Sequence, residues 1–161
     1  MSETLPDTLL TDSGLALSLR RLVAEDIPAV MALERSAHSH PWRQSSFEDC
    51  LKGRHHCWLA EHKEALVGYV VFTYGGGDSE LLNISVAPNW QRRGVGRTLV
   101  QFALDSVRAH ADMMFLEVRV SNKKAIELYY RLDFFEVGQR RNYYPTSNGR
   151  EDALLMACQL G

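Results

Sequence analysis

Long apolar runs are missing from this 161-residue chain. None approaches the roughly 18 consecutive positions that a membrane-spanning helix needs, so no membrane partner is expected. The opening "MSETLPDTLLTDSG" lacks basic residues and carries acids where a secretory leader has its positive end, which makes a cytoplasmic location the expectation. Cysteine is scarce: Cys50, Cys57 and Cys158 are odd in number, share no spacing and include no C-x-x-C pair. That predicts reduced thiols and neither a disulfide frame nor a zinc site. Charge of one sign is lacking too. A net charge of -2 supplies no global field for nucleic acid, although arginines gather at 92–97 and at 140–141. Any anion must therefore be held by a local site.

What is present is a globular composition, 45% apolar and 24% charged, in a length that suits one compact domain. Residues 15–161 are expected to form that domain, preceded by a mobile tail of residues 1–14. "LALSLRRL" alternates like a strand, and "EDIPAVMALERSAH" follows as a helix with Asp26 at its N-cap and Pro28 in the first turn. In "SSFEDCLK", Ser45 and Glu48 have capping-box spacing and Gly53 closes the helix. "HCWLAEHKEALVGYVVFTY" predicts two strands around a turn near His62 to Glu64, and "SELLNISVAP" a third. The period then changes. "GVGRTLVQFALDSVRAH" is a helix, "MMFLEVRV" a strand, "SNKKAIELYYRLDF" a helix begun by Ser121 or Asn122, and "FFEVGQRRNYY" and "DALLMACQ" strands flanking the turn "PTSNGRE". The sum is an α/β domain with an antiparallel first half and a βαβ-like second half.

One loop invites a ligand. In "QRRGVGRTLV" the run Gln91, Arg92, Arg93, Gly94, Val95, Gly96 and Arg97 leads into a helix. Unpaired N–H groups at a helix start bind phosphate, glycine lets the backbone approach, and arginine adds charge. The Walker pattern is absent. The dinucleotide pattern lacks its third glycine and the tight strand-to-helix turn, even though Glu117 falls where an acid would hold a ribose. Coenzyme A pyrophosphate is the third candidate.

"SVAPNWQRRGVGRTLV" resembles the Q/R-x-x-G-x-G/A loop of the GCN5-related N-acetyltransferases, matched here by Gln91, Gly94 and Gly96. The resemblance continues through "EVRVSNKKAIELYYRLDFFEVGQRRNYY", with Asp133 standing where the family's "LYxxxGF" segment usually has glycine. It implies a mixed, mostly antiparallel central sheet of about seven strands flanked by about four helices. It also implies acetyl-coenzyme A as co-substrate, with no metal. "SAHSHPW", "LNISVAP" and "NYYPTSNGREDALLMA" resemble the branch of that family whose acceptor is the N-terminal alanine of a small-subunit ribosomal protein, the eighteenth in the usual count.

An α-amine with pKa near 8 is roughly a tenth neutral at pH 7, whereas a lysine near 10.4 is neutral only about four times in ten thousand. An N-terminal acceptor therefore asks less of a base. Glu117 alternates with Phe115 and Arg119 on one face of its strand. Spacing alone leaves it equally readable as an ion-paired surface residue, with Arg119 or a neighbouring strand as partner; the resemblance implies the catalytic base. Tyr129 is the implied acid, its phenol protonated at pH 7, which leaves Tyr130 to pack. Asn122 is readable as an N-cap and, by resemblance, as a cofactor contact. Pro88 ends the strand before the loop, so N–H groups near Ile84, Ser85 and Val86 are expected to face the cofactor's carbonyl and amides. Trp42, Tyr143 and Tyr144 are expected along the acceptor's path. His38 with His40, and His55 with His56, lack a third ligand at a recognisable spacing, and no metal site is expected.

Overall fold

The structure, a computed structural model, describes residues 8–161. Its elements run β1 (Thr8–Leu10), β2 (Ala16–Arg21), α1 (Ile27–Ala37), α2 (Gln44–Leu51), β3 (His56–His62), β4 (Ala65–Gly75) and β5 (Asp78–Val86). Then come α3 (Val95–Val107), β6 (Met113–Arg119), α4 (Lys123–Arg131), β7 (Phe135–Thr146) and β8 (Gly149–Gln159). The strands form one sheet in the order β1-β2-β3-β4-β5-β6-β8-β7, antiparallel except where β5 meets β6. Among the described residues the sheet has eight strands where about seven were expected. The additional one is β1: part of the expected tail, it pairs with β2 through Thr8 to Leu10. Residues 1–7 lie outside the described ones.

Each face of the sheet carries two helices because β4 is apolar on both sides. Tyr69 and Val71 join Val30, Met31 and Phe47 in a core under α1 and α2. Val70 and Phe72, alternating with them, join Leu99, Phe102 and Ala103 of α3 and Tyr129 of α4 in the other. Gly68 makes the second layer possible: a Cβ there would stand 2.6 Å from the Ser85 carbonyl oxygen and 3.2 Å from Leu99.

Two helix starts differ from expectation. Asp26 stands just before α1, but its carboxylate turns backwards to accept from the Val23 N–H at 2.8 Å and from Arg20 Nη1 and Nη2 at 2.7 and 2.8 Å. The ion pair clasps β2 to the helix and outcompetes forward capping. The Ser45–Glu48 box does not form either, because α2 begins at Gln44 with Arg43 as N-cap, placing Ser45 inside the first turn. A hydrophobic staple sets that start instead: Trp42 lies before the cap, and its ring meets Phe47 at 5.4 Å. At the end of α4 the Asp133 N–H donates to the Tyr130 carbonyl and the Phe134 N–H to the Tyr129 carbonyl. This is a Schellman closure. Asp133 adopts φ +67°, the left-handed conformation that glycine enters without a Cβ penalty.

The feature that positions the site is an unfinished seam. β5 and β6 pair in parallel only over Asp78–Leu81 and Met113–Leu116. At that point β5 carries a bulge, Leu82 being the extra residue between the pairs Phe72 with Leu81 and Val71 with Asn83. A bulge bends its strand and ends pairing. Beyond it β5 runs to Val86 and β6 to Arg119 with facing edges that make no ladder.

Candidate active site

The separated strand ends leave a slot of about 380 Å³ through the sheet. Leu82, Asn83 and Ile84 of β5 form one wall, and Glu117, Val118 and Arg119 of β6 the other. One mouth opens beside His38, His40 and Trp42, after α1; the other lies beside Asn122, Ala125 and Tyr129 of α4. Period-two alternation directs Glu117 towards the α1 side, while Tyr129 belongs to the core on the α4 side. Two groups suited to proton transfer thus stand at opposite faces of one passage.

Glu117 is tethered. Its Oε1 forms an ion pair with Arg140 Nε at 3.1 Å, from β7, one strand beyond the neighbouring β8, while Arg119 pairs with Glu151 at 3.0 Å. Arg119 also donates to the Pro145 carbonyl at 2.7 Å and lies over the Tyr144 ring at 4.5 Å. The Glu117 carboxylate, as an acceptor for the Tyr143 hydroxyl and then through its charge, raises that phenol above the usual range. Tyr144 lines the slot and is pushed up to about 12 by burial and then by Glu117.

Tyr129 is 5% exposed, packs at 5.6 Å from the Phe134 ring and borders the slot. Burial, and then the nearby Tyr144, raise its phenol above the ordinary value, so it holds its proton throughout the neutral range. Tyr130, expected as the packing partner, is instead 50% exposed. One residue is about 100° of helical turn, so when α4 seats Tyr129 against the sheet Tyr130 rotates towards solvent. Asn122 caps α4, its Oδ1 accepting from the Ala125 N–H at 3.3 Å, and also borders the slot.

The glycine loop stands just past the end of β5. Gln91 Nε2 donates to the Val86 carbonyl at 3.2 Å, and a Cβ on Gly96 would lie 3.7 Å from Val86 and 3.6 Å from Leu128 of α4. Gly94 caps α3 at φ +83°, and the first α-helical bond runs from Thr98 N–H to the Gly94 carbonyl. The N–H groups of Val95, Gly96 and Arg97 therefore point out of the helix start, beside the guanidinium-bearing Arg92, Arg93 and Arg97. Arg93 rests over the Trp90 ring at 4.9 Å, and Arg97 reaches Asp12 at 3.4 Å. Ile84 faces the slot, whereas Val86 and residues 91–97 lie beyond it, towards α4. The Ser85 hydroxyl turns to α1.

That turn exposes a group the sequence reading missed. Glu34, 1% exposed, receives hydrogen bonds from the Tyr69 hydroxyl, from Asn83 Nδ2 and Trp42 N–H at 2.9 Å each, and from Ser85 Oγ at 3.3 Å. Ser85 Oγ also meets His38 Nε2 at 2.6 Å. One buried carboxylate so joins α1, the loop bearing Trp42, Tyr69 of β4 and the half of β5 that lies beyond its pairing with β6. The signal was in the sequence: Ile27, Val30, Met31 and Glu34 share the inward stripe of α1. Among the described residues no group of three or more His, Cys, Asp or Glu is arranged to hold a metal ion, and no helix is long and apolar enough to cross a membrane.

A splayed parallel strand pair beside a glycine loop at a helix start fits a class of acyltransferase. Residues 24–134 match the Acetyltransferase (GNAT) family, and the chain belongs to that family. Among its relatives, the ribosomal protein bS18-alanine N-acetyltransferase of Escherichia coli (strain K12) is 36% identical over 141 residues, 87% of this chain and 95% of that protein. The enzyme of the same name from Salmonella typhimurium is 36% identical over 137 residues, 84% and 93% of the two chains. The crystal structure of the ribosomal-protein-S18-alanine N-acetyltransferase from Escherichia coli superposes with a TM-score of 0.84 at 34% identity, covering 90% of this chain and 94% of that one. Acetyltransferases of this family take acetyl from acetyl-coenzyme A. The residues present fit that molecule, with open strand edges for its amides and an arginine-flanked helix start for its phosphates.

Proposed function

We propose that the protein acetylates the N-terminal alanine amine of ribosomal protein bS18, by direct transfer from acetyl-coenzyme A in a ternary complex. The observation that carries the chemistry is the slot open at both faces, with Glu117 on one side and Tyr129 on the other. The acceptor is supported by the names of relatives at 36% identity that span nearly their full length.

In this reading the coenzyme approaches from the α4 side and supplies the activated acetyl group. Gln91 to Arg97 hold its phosphates, Ile84 to Val86 offer backbone donors along its arm, and Asn122 steadies it at the start of α4. The acceptor amine arrives from the α1 side, past Trp42, Tyr143 and Tyr144. Glu117, fixed by Arg140, takes the ammonium proton, and an α-amine makes that step modest because about a tenth of it is already neutral at pH 7. Tyr129, kept protonated by burial, delivers a proton to the departing thiolate. No step calls for a metal.

Mass spectrometry of two peptides incubated with protein and acetyl-coenzyme A tests the reading. One carries the free N-terminal alanine sequence of bS18, the other a blocked N-terminus and free lysines. A single acetyl on the first peptide's terminal amine is the expected result; modification of the second alone transfers the function to lysine, and of neither leaves a small amine or a binding role. Glu117→Gln should lower kcat by about 100-fold or more while coenzyme affinity stays within about twofold. Unchanged turnover in that variant defeats the assignment of the base.

A further inference from the structure

The α1 side of the sheet carries a second hollow that the proposed chemistry does not use. α1 and α2 cover Cys57 and Leu59 of β3 and Tyr69 and Val71 of β4, leaving the β6, β8 and β7 part of that face without a helix. There a concavity of about 650 Å³ is lined by Glu80, Phe115, Glu117, Val137, Arg140 and Leu155. Its floor is apolar and open to solvent: Phe115 is 36% exposed and Val137 50%.

We propose that this hollow receives the acceptor chain beyond its first residue and selects, at the second or third position, a side chain with an apolar stem and a cationic head, arginine or lysine, seated against Glu80. The proposal rests on the reading that Glu117 receives the acceptor's amine.

Continuity carries the first part of the argument. Glu117 lines both the slot and the hollow, so a chain whose amine stands at Glu117 continues directly into the hollow. Glu80 lies opposite Phe115 in the β5–β6 pairing, two residues back from Glu117 and one strand across. Strand spacings of about 3.3 Å per residue and about 4.8 Å between strands put Glu80 about 8 Å from Glu117. An extended peptide covers that distance in two to three residues.

Charge supplies the second part. Asp78, Glu80 and Glu117 bring three carboxylates to the lining against one cation, Arg140, which is bound to Glu117 at 3.1 Å. Among the described residues neither Asp78 nor Glu80 has an ion-pair partner. Partial burial, and then repulsion from Glu117, hold the Glu80 carboxyl above its usual range. A guanidinium or ammonium group arriving there relieves that repulsion, while Phe115 and Val137 cover its methylene stem.

Steady-state kinetics on alanine-initiated peptides that differ only at the second and third residues, with arginine, glutamine or glutamate there, test the hollow. The arginine peptides should show a KM about tenfold below the glutamate peptides at low salt, a gap that shrinks as salt rises. Glu80→Gln should reduce the gap to threefold or less and Glu80→Lys should reverse its sign. Val137→Lys on the opposite wall should likewise raise the KM of the arginine peptides. Identical KM ratios in the parent, Glu80→Lys and Val137→Lys proteins overturn the hollow while leaving α-amine acetylation standing. If the parent protein acetylates no α-amine in the series, the functional reading falls and takes the hollow with it.

Discussion

Replacing Glu34 by alanine is the sharpest perturbation the structure offers outside the reacting groups. Among the described residues, the Tyr69 hydroxyl, Asn83 Nδ2 and the Trp42 N–H have Glu34 as their acceptor and no other, whereas Ser85 keeps His38. A buried donor left without a partner costs about 1–3 kcal/mol; the buried Tyr69 hydroxyl loses most, the half-buried Asn83 and Trp42 groups less, and the three together remove about 3 kcal/mol. That is a large share of the roughly 5–15 kcal/mol that holds a domain of this size together. Glu34→Gln keeps the shape and two acceptor sites but sets an N–H₂ group against one of the three donors, for a loss of about 1–2 kcal/mol. Glu34→Leu fills the volume yet strands the same donors, and should fall near alanine. Urea titration with linear extrapolation measures all three, together with kcat/KM, because freeing Trp42 loosens the mouth of the slot. Alanine and leucine variants within 1 kcal/mol of the parent protein would refute the claim that this carboxylate organises the α1 side.

Three further substitutions follow from local geometry. Asp26→Asn should lose about 1 kcal/mol at neutral pH, since the hydrogen bonds from Arg20 hold the Asp26 carboxyl below its usual value. A depressed carboxyl stabilises the fold above about pH 4 and loses that contribution as pH falls through its folded value, so thermal melts of parent and variant should converge in acid. Asp133→Gly should raise stability by about 0.5–1 kcal/mol in denaturant melts, because φ +67° strains any residue with a Cβ. Gly68→Ala drives a methyl to 2.6 Å from a backbone oxygen and should cost about 1–3 kcal/mol by calorimetry, with weaker binding of acetyl-coenzyme A as β5 is displaced.

The parts of the fold that local patterns write were legible from the chain. The glycine loop into α3, the alternation of β6 and the Asn122 cap of α4 depend on neighbours within a few residues, and each stands where its pattern put it. Features decided by distant partners were less so. Three residues of β1 are too few to show a period, and they become a strand only by lying against β2. The Ser45–Glu48 spacing lost to a contact between Trp42 and Phe47, and the choice between Tyr129 and Tyr130 as packing residue was made by how α4 docks. Glu34 was overlooked because an acid in an apolar stripe reads as a break in the stripe, and only its four donors from β4, β5 and the loop after α1 explain its burial. The bulge at Leu82 that opens the slot joins residues from three strands, and local spacing does not encode it.

Among the described residues eight strands make one sheet, yet four residue pairs are all the backbone ladder that joins its first five strands to its last three. Elsewhere the two parts are bridged by helices and side chains, which slide more readily than hydrogen-bonded strands. Stiffness across this seam is therefore lower than across the fully laddered strand pairs, and the proposed reaction takes place along it. An extended amide-bearing arm laid between β5 and β6 acts as a borrowed strand, knitting edges that the chain leaves open. Filling the slot and stiffening the sheet become one event, and slowed amide exchange at residues 82–86 would register it directly.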